Sequence, residues 1–154
     1  MAVFRFRLDK VLRLRLRAEQ ESARELGRLL SLQSLIEARI AKMQEGRVDL
    51  LERRNELQRG QMEVSRLDQN RYQIMVLDRS LMIAAGQLED MARQVSAARA
   101  HLLERSRDRK LLDKLKERRR EEHDEMERRR ELREMDERPP PRRDSSLHNP
   151  RPSV

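Results

Sequence analysis

Three histidines, His101, His123 and His148, are the side chains best suited to proton transfer or metal ligation near neutral pH in this chain. None belongs to an HExxH pair or another metal-ligand spacing. His123 and Glu127 stand four residues apart and would offer two ligands from one helical turn. A solvated helix face is the simpler account of that pair. There is no cysteine, which excludes disulfides, thiol catalysis and thiolate metal sites. Gly27, Gly46, Gly60 and Gly86 stand alone, so no glycine-rich loop cradles a phosphate. Carboxylates are plentiful, yet the chain has too little apolar bulk to enclose a cavity that would shift their pKa values or exclude water. The expectation is a non-enzyme with no catalytic residue, metal, cofactor or small-molecule substrate.

Charge carries more information than any constellation. The formal net charge is +8, which points to an acidic partner without choosing its class. Arg5, Arg7, Lys10, Arg13, Arg15 and Arg17 stand against Asp9 alone. Residues 105–120 bring nine lysines and arginines against Asp108, Asp113 and Glu117. Two readings compete for this basic material. In one, long Arg and Lys stems cover a thin apolar seam. In the other, the charges form a docking surface for an acidic groove or pore. Nucleic acid is disfavoured: Phe4, Phe6 and Tyr72 are the only aromatics available for stacking, and acidic residues are interspersed throughout. Insertion into a membrane is disfavoured by the narrowness of the apolar stripe.

Only long helices can present such charges. Charged residues make up 42% of the chain and aromatics 2%, too little apolar bulk to offset the entropy of a thick core. All five prolines lie at or after Pro139, so nothing breaks a helix before them. Every seventh residue from Leu29 is apolar: Leu29, Ile36, Met43, Leu50, Leu57, Val64. So is every seventh from Leu67: Leu67, Ile74, Leu81, Leu88, Val95, Leu102. Such a repeat marks a coiled-coil seam. The first stripe has companions Leu26, Gln33, Ile40, Arg47, Arg54 and Gln61, which turn polar towards Gly60. The second has Leu77, Ala84, Met91 and Ala98.

Two successive seams predict an all-α, antiparallel two-helix coiled-coil hairpin. Helix one is expected to start at 5–9 and run to about 59, the turn to fall in 58–67, and helix two to span about 65–137. Leu12 would then lie near Lys114 and Ile36 near Asp90. Helix two would overshoot helix one near Arg120 and leave 121–138 projecting alone, supported by i,i+4 pairs such as Glu125–Arg129. Residues 139–154, rich in proline and serine, read as a disordered tail. The opening MAVFRFRLDK has no apolar core of a secretory signal, and no run is long enough to span a bilayer, so a cytoplasmic location is expected.

Two stretches resemble the flagellar export protein FliJ family. FRFRLDKVLRLRLRAEQESARELG, from Phe4 to Gly27, is similar to that family's opening, and LLERSRDRKLLDKLKERRREEHDEMERRRELREMDE, from Leu102 to Glu137, to its closing pattern. RYQIMVLDRSLM falls where the family carries an aromatic residue early in helix two. The resemblance spans about residues 3–138. It implies a coiled-coil hairpin similar to the central stalk of rotary ATPases, acting in flagellum biogenesis, motility and chemotaxis as part of type III protein export. The implied partners are the export ATPase FliI, whose ring the hairpin's open end enters, the export gate protein FlhA, and export chaperones. The implied location is cytoplasmic, peripherally on the membrane at the flagellar base.

Combined with the charge pattern, the expected ATPase contact comprises Arg13, Arg17, Arg109, Lys110, Leu111, Leu112, Lys114, Leu115, Arg118, Arg119 and Arg120. The expected gate contact comprises Tyr72, Met75, Val76 and Arg79. Tyr72 serves equally well as core filler on sequence grounds. Two alternatives stay open: the equivalent stalk of a virulence injectisome, and a generic coiled-coil scaffold that dimerises between chains.

Overall fold

The computed structural model describes residues 3–61 and 63–137; Arg138 and the tail expected at 139–154 lie outside them. Two helices make up nearly all of it: α1, Asp9–Arg59 (51 residues), and α2, Val64–Asp136 (73 residues). Both are built mainly from Leu, Arg, Glu, Ala and Gln, which lose little side-chain freedom in a helix. At 1.5 Å per residue, α2 is about 110 Å long. Gly60, in extended conformation, ends α1. Arg66 and Leu67 N–H groups then donate to the Glu63 carbonyl at 3.1 and 3.2 Å and close the first turn of α2.

The helices pack antiparallel along their whole common length, with no strand among the described residues. Asp9 meets Lys116, Arg15 meets Asp108 and Arg47 meets Asp78 across the interface. Leu29, Ala84 and Val95 are the buried apolar side chains. Ile36, Met43, Leu50 and Leu57 of α1, and Leu67, Ile74, Leu81, Leu88 and Leu102 of α2, are half-buried, as are Leu26, Ile40, Leu77, Met91 and Ala98 beside them. Each helix faces only one other, so most of these side chains keep an edge in water. Val64 departs from the stripe and is 63% exposed. It is the first residue of α2, past the end of α1, and has no helix opposite it.

The seam changes character towards the turn. Arg47 Nε donates to Asp78 Oδ1 at 2.5 Å. Asn70, buried at 3% exposure, donates its amide to the Leu50 carbonyl at 3.0 Å. Asn70 Oδ1 and Arg54 Nε are buried without a partner. An unpaired buried polar atom costs on the order of 1–3 kcal/mol, so the turn end is the less stable end of the rod.

Leu29→Ala should lower stability by about 2–4 kcal/mol, because a buried leucine leaves a cavity the two helices cannot fully close. Leu35→Ala, at a 67% exposed site, should change it by less than about 0.5 kcal/mol. Thermal unfolding followed by helical circular dichroism measures both, and equal losses would contradict the burial pattern.

Candidate docking surfaces

The termini of the hairpin form its open end, where Asp9, Glu19 and Asp108 reach across the interface while Glu117 is exposed. Asp9 Oδ1 accepts from Lys116 Nζ at 2.8 Å, and its Oδ2 from Arg13 at 2.7 Å. Asp108 accepts from Arg15 at 3.2 Å. Glu19 and Asp113 both pair with Arg109. The Lys116 ammonium also lies 5.9 Å from the centroid of the Phe6 ring, within cation–π range. The hydrogen bond from Lys116, then that from Arg13, holds the Asp9 carboxyl below its ordinary pKa. Arg109 does the same for Glu19, against partial desolvation, with a smaller contribution from Ser106. In return, Glu19 raises the Arg109 guanidinium.

These pairs offset the repulsion that crowded cations would otherwise exert at this end. They also separate Arg109 from the other residues expected to meet an ATPase: half-buried and engaged by two carboxylates, it ties the helices together. Arg13, Arg17, Lys110, Lys114, Arg118, Arg119 and Arg120 are exposed. Arg13 pairs with Asp9, and Arg119 with Glu122 at 3.0 Å. Arg17, Lys110, Lys114, Arg118 and Arg120 have no ion pair among the described residues. Leu111 is 67% exposed, whereas Leu112 and Leu115 turn towards α1 and are half-buried.

The chain before α1 is the largest departure from expectation. Residues 3–8 are not helical. Phe4 and Phe6 alternate with Arg5 and Arg7, a period of two that suits an extended path with one face against a surface, before Arg7 and Leu8 turn into α1. That path continues along α2. Phe4 lies against His123, ring centroids 5.6 Å apart. Together Phe4, Phe6 and Leu8 share a groove with Leu115, Arg119, His123 and Met126. α2 is therefore accompanied as far as Met126, not only to Arg120, and the unaccompanied stretch shrinks to its last turns. There, Glu125 pairs with Arg129, and Arg130 with Glu134 at 3.1 Å. His123 Nδ1 faces Asp124 at 3.4 Å. The described residues hold no group of three or more potential metal ligands.

A second surface lies on α2 near the turn, about 60 Å from the collar at 1.5 Å per residue. Tyr72, Met75 and Val76 are 63%, 61% and 45% exposed, and Arg79 is exposed beside them. Their spacing places them on the helix face opposite Ile74, Leu77 and Leu81, which meet α1. Met82 and Ile83, missed in the sequence, extend the same outward apolar stripe. Tyr72 does not fill the core.

The sequence profile of the family described as "Flagellar FliJ protein" matches residues 4–138. The chain belongs to the FliJ family. Comparison with curated proteins and with solved structures gave no match. FliJ-family proteins are non-catalytic helical proteins, and membership makes this chain a component of flagellar export. The match takes in the extended segment from Phe4 as well as both helices. Among the described residues no helix is long and apolar enough to cross a membrane.

Because the folded-state pKa values of Asp9 and Glu19 are depressed, their pairs stabilise the hairpin above the ordinary carboxylate range. That contribution disappears as pH falls through and below it. Wild-type melting temperature should drop between about pH 5 and pH 3. Glu19→Gln, which keeps shape but cannot ionise, should melt lower than wild type at pH 7 and show a shallower acid dependence. An unchanged acid profile would mean that the Glu19–Arg109 pair contributes nothing.

Proposed function

We propose that this FliJ-family chain acts as a central stalk of the export machinery. Its open end enters the ring of the export ATPase FliI and promotes ring assembly, and the outward face near the turn contacts the export gate protein FlhA. Export chaperones are further partners of the same rod. The protein works in the cytoplasm, held peripherally at the membrane beneath the flagellum.

The observation that carries this reading is the distribution of unpaired charge at the open end. Asp9, Glu19 and Asp108 of the collar join the helices, and Arg17, Lys110, Lys114, Arg118 and Arg120 are exposed with no ion pair among the described residues. A narrow rod with a cationic collar complements an acid-lined channel. Such contacts weaken with salt, since exposed charges are screened over about 8–10 Å near physiological ionic strength. Leu111 adds an exposed apolar contact, while Leu112 and Leu115 support it from the seam side. Over Tyr72, Met75, Val76 and Arg79, a mixed apolar and cationic patch offers a distinct partner a separate site.

Reversing Arg118, Arg119 and Arg120 together to Glu should leave helicity nearly unchanged, because Glu and Arg have similar helix propensities. It should abolish stimulation of the ATPase and stop flagellar assembly. Wild-type stimulation by that variant would sink the pore reading. The double variant Tyr72→Ala, Met75→Ala should lose gate binding while keeping ATPase stimulation. Loss of both activities together would place the two contacts on one surface and contradict their separation.

A further inference from the structure

On one flank of α1, the charge that dominates the chain is absent. On α1, Leu16, Gln20, Ala23, Gly27, Leu30 and Ser34 share a helix face immediately beside the seam. On α2, Leu102 and Leu103 lie across from them. Between the helices runs a groove lined by Gln20, Ala23, Leu26, Leu102 and Leu103, with Glu19, Arg99 and Ser106 at its edges. Leu103 in its wall is 53% exposed, and Leu16 and Leu30 on the same α1 face are 42% and 37% exposed. In this chain such leucines would be expected on the seam, not beside it.

Gly27 adds a second observation. A glycine inside a helix costs about 1 kcal/mol relative to alanine. Gly27 does not have a positive φ, and a Cβ placed on it would meet nothing within 4 Å. Nothing inside the molecule requires glycine there. With Ala23 one turn before it, Gly27 makes a shallow notch that suits close approach by something outside the chain. Around the groove stand Arg24 of α1, and Arg99 and Arg107 of α2. All three are exposed, and none makes a salt bridge among the described residues.

We propose that this flank docks a helix from a partner protein, forming a local three-helix bundle over residues 16–34 and 96–106. The occupant is an amphipathic helix with small and leucine-type residues on its seam and carboxylates on both edges. Its seam fills the notch at Ala23 and Gly27, and its carboxylates meet the three unpaired arginines. A second copy of this chain is a poorer occupant, because it brings the same arginines and the same +8 charge against themselves. A concave groove between two helices also suits a rod better than it suits a lipid surface. Along the rod, Leu103 lies about 40 Å from the Tyr72–Arg79 stretch at 1.5 Å per residue, so the groove is separate from the outward face near the turn.

The full chain can be tested with a synthetic amphipathic peptide of about three heptads carrying a Leu/Ala seam and Glu flanks, against a counterpart with Lys flanks. The Glu-flanked peptide should bind and the Lys-flanked one should not. Gly27→Trp and Leu103→Glu should each weaken that binding at least about tenfold, roughly 1.4 kcal/mol. Melting temperature and ATPase stimulation should stay as in the wild type. Equal binding of the two peptides, or binding that neither variant changes, overturns the proposal. Self-association in sedimentation that Gly27→Trp abolishes would assign the flank to a second copy and overturn it too. So would binding to vesicles of anionic lipid that the same variants abolish.

Discussion

Two helices can bury only the one stripe that each turns towards the other, and the rest of the molecule answers to that constraint. Leu29, Ala84 and Val95 are deeply buried, and their neighbours along the seam keep an edge in water. Stability is therefore spread thinly along a rod with no enclosed interior. Such a rod has no place to shield a reacting group from water, but it has a long surface. The side chains on that surface are those the seam does not use.

The seam uses different chemistry at its two ends. At the open end, Asp9, Glu19 and Asp108 bridge the helices, and the collar's surplus cations are left outside. Exposed ion pairs contribute little individually, but each one here also neutralises a cation that would otherwise repel its neighbours. At the turn end, Arg54 and Asn70 occupy the seam with polar atoms unpaired, while Tyr72, Met75, Val76, Met82 and Ile83 face outward. The rod is thus cationic at one end and apolar on its outer face at the other.

Much of the fold was legible because helix formation here is governed by period. The heptad repeats through Leu29 and Leu67 need only the sequence, and the absence of proline before Pro139 leaves no other long element to form. The extended start was missed for an instructive reason. Phe4, Phe6 and Leu8 show a clear period of two, but the cluster of arginines around them matches the helix that follows, and the two patterns overlap at Asp9. Val64 was counted in a stripe it fits by number, yet a seam position requires a facing helix, and α1 has already ended.

By itself, the sequence determined that the chain is a charged helical hairpin with one apolar stripe per helix, since those features follow from local period and composition. Only the tertiary structure decided which charges are free. Arg109 and Arg118 are alike in sequence context, both within the same basic run. Packing places Glu19 on Arg109 and leaves Arg118 in solvent. Side chains far apart in the chain interact only once the register of the two helices is fixed. The same register brings Phe4 onto His123 and opens the groove between Ala23 and Leu103. Long-range pairing depends on where each helix starts and how it is rotated, and a spacing pattern within one helix carries neither.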